Sequence, residues 1–180
     1  TAVTAEAHTW DNGVCTTCGF FNDNYLERDL ADCSIPVRTA DDMHWCETKN
    51  QVSNGGRFNI KQMAPIEISA LGKGYTIFNS GNWFDGNYNG QGYDLTIHIA
   101  DVTDSRAALF PQATGTLENI CLHGDIATQN NYAGSIVGST RNGTVVIRNV
   151  YSDVTVSTTK TGDATCGGIV GVADSDFKMT

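Results

Sequence analysis

A chain of 180 residues has room for one main hydrophobic core and a small appendage, not for two full-sized domains. Its 11 Lys and Arg stand against 20 Asp and Glu, a formal net charge of -9 that repels phosphate backbones and anionic lipid, so nucleic acid is not an expected partner. The longest apolar runs, such as 107–110, are a few residues against the ~20 a spanning helix needs, so membrane insertion is not expected. The 19 Gly, 3 Pro and many Thr, Val, Ile and Asn residues suit short strands joined by tight turns.

Residues 1–36 read as a small irregular module, with turn residues at Asp11-Asn12-Gly13, a Pro at 36 and no helical or strand periodicity of useful length. Within it, His8, Cys15 and Cys18 form H-x6-C-x2-C, in which Thr16 and Thr17 make a knuckle that lets two thiolates face one ion. A structural zinc site needs a fourth ligand, and Cys33 is the candidate, with Cys46 or His44 in reserve. Disulfide pairing of Cys15, Cys18, Cys33 and Cys46 fits the same spacing in an oxidising exterior, so zinc and disulfide both stand. Redox catalysis of the thioredoxin type is not expected, because this C-x-x-C follows a turn-rich stretch instead of opening a helix after a core strand.

The second region, 37–180, opens with a predicted helix from about 40 to 53. Thr39 is its N-cap, Asp42 lies in its first turn and Gly55-Gly56 stop it. Its apolar stripe of Met43 and Cys46, with Trp45 beside them, is narrow enough to be a cap on something larger. From about 58 the texture changes to alternating runs: Phe58 and Ile60, Ile66 and Ile68, then Leu95, Ile97 and Ile99 with Asp94, Thr96 and His98 between them. These predict half-buried strands. The stretch 79–92, rich in Gly and Asn, is expected to form turns. Cys121 and Cys166 fall within apolar strand patterns and are expected to be buried free thiols.

The strongest signal is a repeat. Residues 117–128 lie on 147–158 without a gap at an offset of 147 - 117 = 30, matching Leu117 with Ile147, Ile120 with Val150 and Ile126 with Val156. Asn119 and Asn149 coincide at what should be a bend, where stacked side-chain amides can bond to one another. A second element recurs as Gly-Ser-Ile-Val-Gly at 134–138 and Gly-Gly-Ile-Val-Gly at 167–171, with 107–111 as a degenerate copy. Strands that keep register while turns vary in length point to a parallel β-helix, each coil pairing with the coil above and below.

Those two Gly-x-Ile-Val-Gly elements, each near an Asn-Val-Tyr-Ser-like strand, resemble GLUG motifs of bacterial surface proteins. Trp83 to Leu95 is similar to the F-x-G-x-F-D-G-x-G segment that precedes such motifs, and 39–56 to their leading helix. The segment 8–19 resembles a short zinc-ribbon-like element found ahead of such repeats. The resemblance covers about 37–173. It departs from the pattern at Pro111, where Gly is usual, and at Thr180, where the chain stops soon after the last motif opens, as a piece of a longer protein would. It implies a right-handed parallel β-helix of the adhesin type, an extracellular or cell-surface location in bacteria, further domains of the parent chain as neighbours, and no defined catalytic residues.

Binding is therefore expected over catalysis. Asp101, Asp104 and Arg106 come nearest to the carboxylate and cation grouping of a polysaccharide lyase or hydrolase, but together they read as a solvated turn. His44, His98 and His123 read as surface residues on a helix, an outward strand position and a strand end. For a carbohydrate or host-protein ligand the candidate contacts are Trp83, Tyr88, Tyr93 and Tyr132, whose rings would stack on a sugar face. Packing of Trp83 and Tyr93 under their own loops is the plainer alternative. A structural spacer within a larger secreted protein fits equally well.

Overall fold

The alternating runs become strands because every second side chain in them is apolar, and a strand sends successive side chains to opposite faces. The computed structural model of the chain describes residues 10–11, 14–15, 31–32, 34–52, 58–68, 83–100, 105–129, 131–173 and 177–179. The chain begins with β1 (Trp10–Asp11) and β2 (Val14–Cys15), followed by β3 (Ile35–Val37), α1 (Ala40–Val52), β4 (Phe58–Gln62), β5 (Ile66–Glu67), β6 (Phe84–Asn89) and β7 (Asp94–Ala100). It continues through β8 (Arg106–Ala107), β9 (Phe110–Thr128), β10 (Tyr132–Ala133), β11 (Val137–Ser152), β12 (Thr155–Thr158), β13 (Thr165–Cys166), β14 (Val170–Val172) and β15 (Phe177–Met179).

Only β1 and β2 pair antiparallel among the described residues, and this short hairpin in the expected irregular module was not foreseen. The other pairings are parallel, and they stack the chain into a β-solenoid of about four turns, the expected parallel β-helix. One stack runs β3-β4-β6-β9-β11, a second β5-β7-β9-β12 and a third β8-β10-β13. Among the described residues the first strand of the stack is β3, in which Ile35 lies opposite Ile60 and Pro36 opposite Lys61.

The repeat register is the one the sequence implied. Leu117 lies opposite Ile147, Ile120 opposite Val150 and Ile126 opposite Val156, all at an offset of 30. Upstream in β9 and β11 the offset is 140 - 113 = 27, and it becomes 145 - 115 = 30 past Thr140, so three extra residues of β11 are absorbed between Thr140 and Val145. The core is built of columns. Ile35, Ile60, Tyr88, Leu117 and Ile147 stack in one, and Ile99, Ile126 and Val156 in another.

The helix ends up where its sequence placed it. Asp42 N donates to Thr39 Oγ1 at 3.1 Å while Thr39 N donates to Asp42 Oδ2 at 3.1 Å, a reciprocal capping box with Asp in the usual Glu position. Met43, Trp45 and Cys46 are buried in the same core cluster as Ile35 and Ile60, which agrees with a capping role at this end of the stack.

Two expectations are corrected. Residues 84–89, assigned to turns, form β6, because Phe84 and Tyr88 sit four positions apart on one face of an extended strand and fill the core: Phe84 stacks on Phe110 at 5.0 Å and Tyr88 meets the same ring edge-on at 5.5 Å. Cys121 and Cys166 are free thiols, as expected, but not buried ones: Cys121 is half-buried on an outward position and Cys166 is exposed.

Candidate functional site

Outward positions of neighbouring coils lie opposite one another, so they also form columns, and two faces result. On the first, Asn59, Asn87 and Thr116 make one column and Lys61, Asn89, Glu118 and Arg148 the next. Asn87 Nδ2 donates to Asn59 Oδ1 at 3.0 Å, Asn89 Nδ2 to Glu118 Oε1 at 3.1 Å, Arg148 Nε to Glu118 Oε2 at 2.6 Å, and Lys61 Nζ to Asp32 Oδ2 at 2.7 Å. The expected asparagine ladder runs along the bend beside them. Asn149 Nδ2 donates to Asn119 Oδ1 at 2.6 Å and Asn119 Nδ2 to Asn89 Oδ1 at 3.0 Å. Asn119 and Asn149 hold φ of 53° and 51°, the left-handed region that asparagine tolerates best after glycine. The hydrogen bonds from Lys61 and Ser34 hold the Asp32 carboxyl down at about 2. These columns line an open groove of about 320 Å³.

The second face is chemically different. Along β7 the outward residues are Asp94, Thr96 and His98, and along β9 they are Cys121, His123 and Asp125. The register sets Asp94 beside Cys121 and His98 beside Asp125. One coil further, Tyr151 lies beside Cys121, and Asp153 follows β11. His123 Nε2 is 3.3 Å from Asp94 Oδ1 and 3.4 Å from Cys121 Sγ, while its Nδ1 is 2.9 Å from Asp153 Oδ2. The His98 imidazole pairs with Asp125, and the exposed Tyr151 ring sits 5.9 Å from that of His123.

The Asp153 carboxylate, joined by Asp94, raises the His123 pKa, against a smaller opposing effect of burial. Burial and then the Asp94 carboxylate push the Cys121 thiol up. A thiol, an imidazole and a carboxylate converge here, and Asp94, Cys121 and His123 each offer one ligand atom within 4.8 Å of the others, a set that could hold a metal ion.

The residues singled out in the sequence fare unevenly. His8, Cys18 and Cys33 lie outside the described residues, and Cys15 is seen only as the β2 partner of Trp10. Of the reserves, Cys46 is buried on α1 and His44 pairs with Glu47 at 3.3 Å. Tyr88 is withdrawn as a ligand contact: it is 0% exposed, its hydroxyl donates to Gln62 Oε1 at 2.8 Å, and burial pushes its phenol up.

Trp83 is half-buried ahead of β6, Tyr93 is 40% exposed beyond the turn that ends β6, and Tyr132 is half-buried in the third stack. At about 3.3 Å per residue, β6 puts about 20 Å between Trp83 and the turn before Tyr93, so these rings do not make one platform. Arg106 opens β8 and donates to Ser139 and Ser105, while Asp101 and Asp104 lie outside the described residues. His123 is mid-strand in β9 rather than at a strand end.

No family model matches the chain, so the likeness to GLUG-motif proteins rests on the motif residues alone. No solved structure matches it either. Among curated proteins it is similar to halomucin of Haloquadratum walsbyi, 26% identical over 196 residues that take in 100% of this chain and 2% of halomucin's length. Among the described residues no helix is long and apolar enough to cross a membrane.

Proposed function

We propose that this chain is a non-catalytic recognition segment of a larger surface or secreted protein of the GLUG adhesin type, binding carbohydrate or protein through an outward face of its solenoid. The observation that carries this reading is the groove over the asparagine, lysine and arginine columns. Side-chain amides recur there at coil spacing beside the Arg148 guanidinium, on a backbone tied down by parallel pairing, which suits the multiple directional hydrogen bonds of a hydroxyl-rich ligand. The likeness to halomucin, a mucin by name, supports a surface setting. Arg106, the cation a lyase would need, is engaged with Ser139 and Ser105, which favours binding over catalysis.

A glycan array probed with the full chain tests this reading. Expected is binding to a defined subset of glycans that falls at least tenfold in Arg148→Ala and Asn89→Ala, each with an unchanged circular dichroism spectrum. Binding that survives both changes would move recognition off this face. An array with no bound glycan would overturn carbohydrate as the ligand and leave a protein ligand or a structural spacer.

A further inference from the structure

The geometry points to a zinc-type metal site on the second face, with Asp94, Cys121 and His123 as ligands, Asp153 as the residue that orients the imidazole, and a fourth position open to solvent. It is independent of the groove and of the His8, Cys15 and Cys18 element.

The site follows from two periodicities. A strand sends residues i and i+2 to one side, which puts Cys121 and His123 on the same face of β9, and the parallel register lays Asp94 directly beside Cys121. A tetrahedral ion that holds nitrogen and oxygen at about 2.0–2.2 Å and sulfur at about 2.3 Å separates N from S by about 3.5 Å and N from O by about 3.4 Å. The corresponding separations here are 3.4 Å and 3.3 Å. Nε2 thus stands from both partners at the spacing one shared ion would need, and all three ligand atoms lie within 4.8 Å of one another.

The fourth residue gives this cluster a direction. With Nδ1 at 2.9 Å from Asp153 Oδ2, that carboxylate can accept a proton carried on Nδ1, which leaves Nε2, the nitrogen facing Cys121 and Asp94, to give its lone pair to an ion, the carboxylate, histidine and metal arrangement that orients the ring and strengthens the ligand. Borderline-soft Zn²⁺ suits the mixed sulfur, nitrogen and oxygen set, whereas Ca²⁺ and Mg²⁺ ask for oxygen alone. On binding, the thiol proton of Cys121 leaves to water and the thiolate donates to the ion.

Because Asp94 comes from one coil and Cys121 and His123 from the next, the ion would staple those two coils together, and the Asp153 contact to His123 would tie in the third. A Cys-His-Asp nucleophile would use the same thiol, imidazole and Asp153, but Asp94 faces the same Nε2 and sets its negative charge beside the thiol, which opposes an attacking thiolate and suits a cation.

The test uses the full chain carrying Cys15→Ser and Cys18→Ser, so that the N-terminal cysteines do not contribute. Titration with Co²⁺ is expected to give one equivalent bound, with the thiolate-to-cobalt charge-transfer band of a four-coordinate site. Adding Cys121→Ser should abolish that band, and adding Asp153→Asn should weaken binding about 10- to 100-fold. Saturating Zn²⁺ should protect Cys121 from iodoacetamide, mapped by peptide mass, while exposed Cys166 in the same molecule stays reactive. This last readout needs no change at the site itself. A missing band, a band that persists in Cys121→Ser, an unaltered affinity in Asp153→Asn, or alkylation of Cys121 that zinc does not slow would each overturn the assignment.

Discussion

The two outward faces share one backbone and one stacking rule, yet their chemistry diverges. On the groove face charged and amide groups pair across coils: Lys61 has Asp32, Arg148 has Glu118, and Asn89, Asn119 and Asn149 hand hydrogen bonds along the stack. On the other face, Asp94, Asp125 and Asp153 pair with the imidazoles of His98 and His123, with a thiol in their midst. A solenoid repeats whatever it carries outward once per coil, so a column of amides satisfies itself, whereas carboxylates beside a thiol accumulate lone pairs that call for a cation. On the proposed reading, the first face would bind through what its paired groups leave over, and the second through what it lacks.

If one scaffold underlies both faces, a break beneath either should be equally severe. Gly115 lies in the part of β9 under the groove and Gly124 in the part under the cluster, with φ of 93° and 115°, and an added Cβ would stand 2.0 Å from Gly86 O and 1.8 Å from Ile97 O respectively. Gly115→Ala and Gly124→Ala are each expected to cost roughly 3–5 kcal/mol, read from the urea midpoint. A chain that tolerated one and not the other would not carry its two faces on one cooperative stack.

A smaller break probes the buried link between the faces. Gln62 accepts from Tyr88 OH at 2.8 Å beneath the groove and donates through Nε2 to Ala64 O at 2.8 Å and to Asp94 O at 2.9 Å, gripping the backbone of a proposed metal ligand. Tyr88→Phe leaves one acceptor unmet and should cost about 1–3 kcal/mol; Gln62→Leu strands three groups and should cost more. The reverse order in urea unfolding would mean that this amide does not tie the faces together.

Which parts of this were legible in the sequence follows from periodicity. The offset of 30 between 117–128 and 147–158 was readable because apolar columns, once in register, must recur, and Thr39 with Asp42 announced the helix because capping is local. Tyr88 was misjudged because its strand is surrounded by Asn and Gly, where an aromatic looks like a loop ornament; only its spacing of four from Phe84 hinted at the core. Half of the second face was also within reach. The repeat itself sets Asp153 at 123 + 30 and alternation sets Cys121 with His123, but Asp94 joins at an offset of 27, since the turn at 90–93 is two residues longer than its counterpart, Asn119 and Ile120. No repeat pattern could carry that correction. The groove was missed because donor and acceptor pairing across coils leaves no trace in hydropathy.

The amide ladder offers a finer test of self-satisfaction. Asn119 both donates to Asn89 and accepts from Asn149 at a left-handed φ, whereas Asn149 is exposed and its hydrogen bond in the ladder is the one it donates to Asn119. Asn119→Ala should cost about 1–2 kcal/mol in urea unfolding, and Asn149→Ala about half of that, for the same φ and fewer hydrogen bonds. Equal losses would show that the bend alone, and not the ladder, sets the cost.

The smallest effect expected is a titration. Lys61 and Ser34 hold the Asp32 carboxyl at about 2, below the ordinary 3.8. Because the folded value is the lower one, whatever stability this contact provides is present above 3.8 and is lost as the pH falls toward 2. Carbon-13 NMR of the Asp32 carboxyl should follow that course in the unaltered chain and move up toward 3.8 in Lys61→Ala. A carboxyl that titrates at its ordinary value with Lys61 in place would show that the contact between Asp32 and Lys61 is not kept in solution. The contrast between a self-paired face and an acid-rich one would then lose one of its pairs and rest on Arg148 with Glu118 and on the asparagine ladder.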